Sequence, residues 1–370
     1  MSTFASGQDF VILLAMEAKA YLQDYVKKTE PLLDSFFKTK EKEAAEISPL
    51  AAEMMRIYRQ FMGGKNIRGA LVKLGYECFG GKNEKAILEA SLMVTLTHAF
   101  ILIHDDVMDR DVLRRNKPTI HVQYSNLYRK RHQDKRDQAE HYGLSMAIDL
   151  GDIGFTLAHL LLVDTDFSDE IKTRVLRRFN QQILTTAFGQ ALDVTLEATD
   201  KLSEKDITKI HHYKTADYTV TGPLQYGALF AGANEKEIKK IGKFGLPVGI
   251  AFQLRDDELG LFADEKILGK PIGSDVKENK NTILHLKVLG LAKGKEKQFI
   301  QQVYGKKNLT KKELERVRRI TEETGVLAYS QKMAKSLVEK GKKYISQITR
   351  KPELADTLRK MADFMIERES

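Results

Sequence analysis

Apolar residues recur along this chain every three or four positions, the period of a helix with one buried face. Ser48-Pro49 pairs a capping serine with a proline at the first helical position, and Leu50, Met54, Ile57 and Phe61 then mark one apolar face. From Ala86 to Ile103 the run AILEASLMVTLTHAFILI is apolar on most sides, as expected of a helix central to a large bundle. Ile148 to Val163 and Ile183 to Leu196 read the same way. Thr310-Lys311-Lys312-Glu313 is a capping box. Ala334, Leu337, Gly341, Tyr344 and Ile348 carry a late helical stripe. Alternating patterns of useful length are missing; the strand-like run Tyr218-Thr219-Val220-Thr221 is short and ends in Gly222-Pro223. The pattern predicts an all-α fold.

Composition changes this picture in three places. The length of 370 residues would suggest two or three domains at about 150 residues each. No Pro/Gly/Ser linker divides the chain, so one domain over 1–370 is expected. A single cysteine, Cys78, excludes a disulfide framework and a cysteine-only metal site and fits a reducing, cytoplasmic compartment. The run FVILLAM, Phe10 to Met16, is too short for a membrane span of about 20 residues. It follows Asp9 rather than a basic segment and is read as the buried stripe of a first helix, with no stable membrane insertion. Lys and Arg number 60 against 51 Asp and Glu, a net charge of +9 that calls for an anionic partner of unspecified kind. Tyr128 to His141, YRKRHQDKRDQAEH, reads as a solvated surface loop. A frayed helix end is the other plain reading of that run, which lacks the aromatic stacking series of a nucleic-acid arm.

The candidate chemistry lies in two acidic pairs. Asp105-Asp106-Val107-Met108-Asp109 ends the apolar helix that starts near Ala86, and Asp105 and Asp109 share one helical face a turn apart. Like charges at a helix C-terminus are unfavourable. A hard cation such as Mg²⁺, sharing its shell with water or phosphate oxygens, would offset that cost. Asp256-Asp257 again follows an apolar stretch, Leu246 to Leu254. Around these acids stand Arg114-Arg115, the turn Gly63-Gly64-Lys65-Asn66-Ile67-Arg68, Lys214-Thr215, Lys270 and Lys280. Lys65 and Arg68 are spaced one helical turn apart. So many cations beside a metal motif suit a phosphorylated substrate. The phosphate-loop and dinucleotide patterns are absent, which disfavours nucleotides and leaves a diphosphate. His98 lies two turns before Asp105, close to the same face; an isolated histidine in an apolar helix reads as a satisfied core residue, and the register with the motif favours a ligand-binding one. His104 is read as structural. His211 and His212 point about 100° apart on a helix, so a zinc site is disfavoured and a solvated face or helix end is expected.

These residues resemble the trans-type isoprenyl diphosphate synthases, the polyprenyl synthetases. The matching blocks are GGKNIRG at Gly63, THAFILIHDDVMDRDVLRRNKPTIH at Thr97, YGLSMAIDLGD at Tyr142, GQALD at Gly189, YKTA at Tyr213, and FQLRDDELGLF with GKPIGSDVKENKNT from Phe252. They stand in the family's order and span Gly63 to Leu284. The resemblance implies an isoprenoid-synthase helical bundle around a deep central cavity, working as a homodimer. It implies that Asp105, Asp109 and Asp256 hold up to three Mg²⁺ ions, with Mn²⁺ as a substitute, and that Asp106 and Asp257 support them. Arg114, Lys214, Lys270 and Lys280 would contact the allylic diphosphate, beside Thr215 and Gln253. Lys65, Arg68, His98 and Arg115 would grip isopentenyl diphosphate. Gln190 and Asp193 would face the cavity. Two departures stand out: Gly260 replaces the motif's usual third aspartate, and Asn279 replaces a glycine before Lys280.

The same resemblance makes the position five before Asp105, Phe100, a determinant of product length, with Ile101 beside it. Together with a first motif lacking the insertion common in bacterial farnesyl synthases, this favours a C20 product over C15, and C15 over longer chains. The competing reading of Phe100 is ordinary core. Three other classes compete with a synthase. A non-catalytic subunit would have decayed aspartates. A terpene cyclase would lack Lys65, Arg68 and His98. A nucleic-acid binder would have little use for paired aspartates.

Overall fold

A computed structural model describes residues 7–132, 137–197, 202–263 and 273–368. The described helices begin, in order, with α1 (Gly7–Ile47), α2 (Pro49–Phe61), α3 (Ile67–Cys78), α4 (Glu84–Met108), α5 (Ile120–Arg131), α6 (Ala139–Val163), α7 (Asp169–Glu197), α8 (Glu204–Ile210), α9 (Gly222–Phe230) and α10 (Glu235–Phe262). Further helices follow, ending in Val326–Lys342 and Pro352–Glu367. The expected all-α class holds. The one sheet among the described residues is a two-residue hairpin, β1 (Leu113–Arg114) with β2 (Lys117–Pro118), which the alternation search could not detect at that length.

Helix starts follow local chemistry. Ser48 accepts a hydrogen bond from the Ala51 amide at 3.0 Å, and Thr310 and Glu313 form the expected capping box. Other expectations are corrected. In α2 the buried face is Ala52, Met54, Met55 and Tyr58, while Leu50 is exposed. The run Phe10–Met16 lies in α1, with its side chains outside the described residues. Tyr218–Thr221 belongs to a π-helical segment, His211–Thr221, that continues α8.

Two compact units emerge. One comprises Ala20–Arg177 with Tyr226–Gly232; the other comprises Met1–Lys19, Arg178–Gln225 and Ala233–Ser370. In the first, α4 is buried on most sides, as its composition demands, and packs along α6 and α3. Tyr58, fully buried, donates its hydroxyl to the Leu96 carbonyl at 2.8 Å and ties α2 to α4. In the second, α10 is the central rod. It packs against the π segment and against Val326–Lys342 and Pro352–Glu367.

Helices α4 and α6 are long and apolar enough to cross a membrane, by length and composition. The fold buries 78% of the apolar window of α4 but only 50% of that of α6. Leu144, Ile148, Leu160 and Val163 of α6 are exposed, as are Leu184 and Phe188 of α7. Their apolar periodicity therefore does not mean burial all round, as the sequence pattern suggested.

Candidate active site

In the first unit the acids and cations of the first motif are gathered by two turns. Helix α4 ends at Met108, and the Asp109 amide donates to the Asp105 carbonyl at 2.8 Å as the cap. The chain then doubles back through the hairpin. Its two central residues, Arg115 and Asn116, have φ of 52° and 59°, the pattern of a type I′ turn that non-glycine residues adopt at a cost. The turn sends consecutive arginines to different places. Arg114 Nε donates to Asp106 Oδ1 at 2.7 Å, and its Nη2 lies 3.4 Å from Asp111 and 3.9 Å from Asp105. Arg115 Nη1 donates to the Phe61 carbonyl at 3.1 Å. Its guanidinium lies against Gly63 and Gly64, whose φ values of 151° and 106° only glycine takes readily; a Cβ on Gly64 would stand 3.3 Å from Arg115 Nη2.

The anion-binding set follows from this. Lys65 is exposed on that loop, before α3 begins, so the expected helical spacing of Lys65 and Arg68 is replaced by a loop-and-helix arrangement; Asn66 between them is left-handed. Burial holds the His98 imidazole well below its ordinary pKa, and the guanidiniums of Arg68, Arg115 and Arg114 push it the same way. Three arginines thus lie within electrostatic reach of a neutral histidine, and Arg114 is also paired with the acids of the first motif. Phe100, five residues before Asp105, is 7% exposed and meets Phe155 edge-on at 5.4 Å and His104 at 6.1 Å. Ile101 is half-buried. His104, expected to be structural, places its Nε2 3.2 Å from the Ile148 carbonyl.

In the second unit the motif Asp256-Asp257 sits inside α10, more than a turn before its end at Phe262, rather than closing a helix. Three consecutive acids there each face a basic side chain. Arg368 donates to Asp256 Oδ1 at 2.5 Å, His211 Nε2 lies 3.2 Å from Asp257 Oδ2, and Arg255 lies 3.1 Å from Glu258. His211 is buried, which corrects the expectation of a solvated position; it opens the π segment that also carries Lys214 and Thr215. Such segments often mark functional sites. Arg178 braces the segment, bonding both Asp217 oxygens at 2.7 and 3.0 Å. Gln253 donates to Asp257 Oδ1 at 2.8 Å.

Lys214 donates to the buried Asp193 at 2.6 Å, which gives Asp193 a definite partner. Gly189 permits that approach: a Cβ there would meet the Lys214 backbone nitrogen at 2.4 Å. The next residue, Gln190, buries its amide nitrogen without a hydrogen-bond partner. Lys280 follows Asn279, whose φ of 56° shows that asparagine keeps the left-handed backbone expected of a glycine. Lys270 lies outside the described residues. Gly260 stands beside a residue from outside the motif: the Asp275 carboxylate would lie 2.5 Å from a Cβ at 260.

These donors suit a hard divalent cation. The Asp256 side chain is 38% exposed, and a carboxylate so placed can reach a metal or a metal-bound water. Among the described residues, no three His, Cys, Asp or Glu side chains converge into a metal cluster, so water and substrate oxygens would fill much of the shell. His211, Arg368 and Asp275 were not singled out for the site from the sequence. Only His211 left a trace there, one turn before Lys214.

Residues 50–321 match the model of the polyprenyl synthetase family. The chain is 33% identical over 309 residues to the geranylgeranyl diphosphate synthase of Sulfolobus acidocaldarius, covering 83% of this chain and 87% of that one. It is 30% identical over 311 residues to the geranylfarnesyl diphosphate synthase of Aeropyrum pernix, covering 83% and 91%. Its fold is similar to that of the geranylgeranyl pyrophosphate synthase from Corynebacterium glutamicum, complexed with isoprenyl diphosphate and magnesium. There the TM-score is 0.88 and the identity 29%, over 94% of this chain and 99% of that one. The chain belongs to the polyprenyl synthetase family and is a trans-prenyltransferase.

Proposed function

We propose that this enzyme joins isopentenyl diphosphate to an allylic diphosphate of five to fifteen carbons and makes a short-chain trans-prenyl diphosphate, chiefly the C20 product. The observation that carries the reading is the pairing of two aspartate motifs with a separate arginine–histidine group. Ionising one diphosphate and holding another require both. The related synthases from Sulfolobus and Aeropyrum bear the names of different products, geranylgeranyl and geranylfarnesyl. The choice of C20 therefore rests on Phe100, whose ring, braced by Phe155, would stop the growing tail.

Asp105, Asp109 and Asp256 would hold Mg²⁺, up to three ions with bound diphosphate, and Mn²⁺ would substitute. Asp106 and Asp257 keep their neighbours in place. When bound, the metal supplies positive charge to the leaving diphosphate. Arg114, Lys214, Lys270 and Lys280 add to it as the allylic C–O bond breaks, assisted by Thr215 and Gln253 at the same diphosphate. Lys65, Arg68, Arg115 and His98 hold isopentenyl diphosphate so that its double bond meets the cation. Because His98 stays neutral, it can donate one hydrogen bond without adding a further charge. The departing diphosphate takes the proton released at the end. Gln190, with its unpartnered amide, and Asp193, through Lys214, complete the polar lining.

The family match runs through both compact units, which supports their acting as one catalytic domain. The exposed apolar face of α6, Leu144, Ile148, Leu160 and Val163, supports a homodimer. The lone buried Cys78 supports a cytoplasmic setting. The decisive assay supplies isopentenyl diphosphate, Mg²⁺ and primers of five, ten and fifteen carbons in turn, and sizes the products. A C20 product is expected from each primer, with longer products from Phe100→Ala. A variant product of unchanged length removes Phe100 as the stop.

A further inference from the structure

We propose that Arg368 is a positioning residue for the second aspartate motif, orienting the Asp256 carboxylate for its divalent cation. The inference rests on the reading of Asp256 as a metal ligand. It goes beyond that reading by assigning a role to a residue 112 positions away, just after the helix Pro352–Glu367.

The geometry is that of a fixed bracket. The Arg368 guanidinium donates to Asp256 Oδ1 at 2.5 Å and to the Phe252 carbonyl at 3.3 Å, and lies 3.9 Å over the Phe252 ring. Arg255 Nε donates to the Arg368 backbone carbonyl at 3.0 Å. Arg255 in turn pairs with the buried Glu258 at 3.1 Å. Arg368 is 8% exposed, although it lies at the end of the described chain. A buried guanidinium held at three points, on a residue whose backbone carbonyl is also tied, has lost its freedom before any ligand arrives. Its partner gains the same order: with Oδ1 engaged, the plane of the Asp256 carboxylate is fixed and Oδ2 remains for a cation. Asp256 keeps a 38% exposed side chain, open to one. Partners that orient a metal-binding carboxylate in this way typically change metal affinity or activity by about 10- to 100-fold when removed.

The opposite role has an opposite sign. A guanidinium that only neutralised Asp256 would repel a divalent cation, and its removal would tighten metal binding. The test measures Mn²⁺ binding by electron paramagnetic resonance, in the presence of inorganic diphosphate, for the full chain and its Arg368→Gln, Arg368→Lys and Asp256→Ala variants. Thermal unfolding checks that each is folded. The relevant signal is the Mn²⁺ uptake that Asp256→Ala abolishes. Arg368→Gln should weaken it about tenfold or more. Arg368→Lys, which keeps the charge but not the planar fork, should fall between, and it answers the question alone if the glutamine variant does not fold. In turnover, the Mg²⁺ concentration for half-maximal rate should rise while the KM for isopentenyl diphosphate stays unchanged. Affinity equal to or tighter than that of the unmodified chain in both Arg368 variants overturns the assignment and leaves Asp256 as a ligand. Uptake that Asp256→Ala does not alter overturns the ligand reading itself, and the positioning role with it.

Discussion

The two aspartate motifs solve the same electrostatic problem with different means. The first stands at the end of α4, where the helix dipole disfavours acids, and its relief is local: Arg114, eight residues after Asp106, returns through a hairpin to bond it. The second stands inside α10, free of that end effect, but packs three acids in a row. Arg255 is close in sequence; His211 and Arg368 come from far along the chain. The first motif can form its charge pairing as soon as its own loop folds. The second needs the completed tertiary structure, and its electrostatics should respond to changes made far away.

The largest test asks whether both motifs serve one reaction. Asp105→Ala and Asp256→Ala should each lower the condensation rate by about 100- to 1000-fold, the usual loss when one element of transition-state charge stabilisation is removed. Steady-state assays with isopentenyl and farnesyl diphosphate measure it. If either variant condenses at near the unmodified rate, that motif is dispensable and the comparison becomes one between a working site and a structural one.

A smaller effect separates the units by pH. His285 is buried in the second unit, stacks on Tyr304 with centroids 3.6 Å apart, and places Nδ1 3.2 Å from the Lys280 carbonyl. Burial pushes its pKa down to about 4, against the opposing pull of that carbonyl. The folded protein thus holds this imidazole neutral where the unfolded chain would protonate it. The resulting stability is complete above the unfolded pKa near 6.5 and is lost as the pH falls toward 4, about 3 kcal/mol in all. Urea unfolding at pH 7 and pH 4.5 should show that loss in the unmodified protein. His285→Phe, which keeps the stacking, should lose less over the same interval. Equal losses in both proteins refute the assignment.

Much of the fold was legible because helices announce themselves by period and caps; Ser48-Pro49 and the Thr310 capping box needed nothing beyond neighbouring residues. Candidates for both acidic pairs, and most of their cations, could be named for the same reason. What remained hidden depends on tertiary contact. His211 looked like one of a solvated pair because its partner Asp257 is 46 residues away, and Arg368 sat in a stretch that looked unspecific. Burial of α6 was overestimated because an apolar face reads alike whether it meets the fold or the solvent. The hairpin that splits Arg114 from Arg115 was too short for any alternation to mark.

The smallest expected effect lies at Gly260, where the second motif lacks a third acid. Glycine inside a helix ordinarily costs up to about 1 kcal/mol relative to alanine. Here a Cβ would meet Asp275 Oδ2 at 2.5 Å, so the Asp275 carboxylate occupies the room that a side chain at 260 would need. That oxygen ends a short rotatable side chain and can swing aside. Gly260→Ala should therefore gain helix propensity, lose some of it to the displaced carboxylate, and unfold within about 0.5 kcal/mol of the unmodified chain. Gly260→Asp adds a like charge as well as a Cβ. Two carboxylates near 4 Å repel by about 1 to 4 kcal/mol, depending on how far water screens them. That variant should melt early in a chelator and recover with Mg²⁺ and inorganic diphosphate, because a cation between the two acids turns the repulsion into coordination. Gly260→Asn supplies the same bulk without charge and should not recover in this way. Equal losses in the aspartate and asparagine variants, with no recovery by the cation, would mean that the room at Gly260 serves packing alone. The second motif would then carry no hidden place for a third carboxylate.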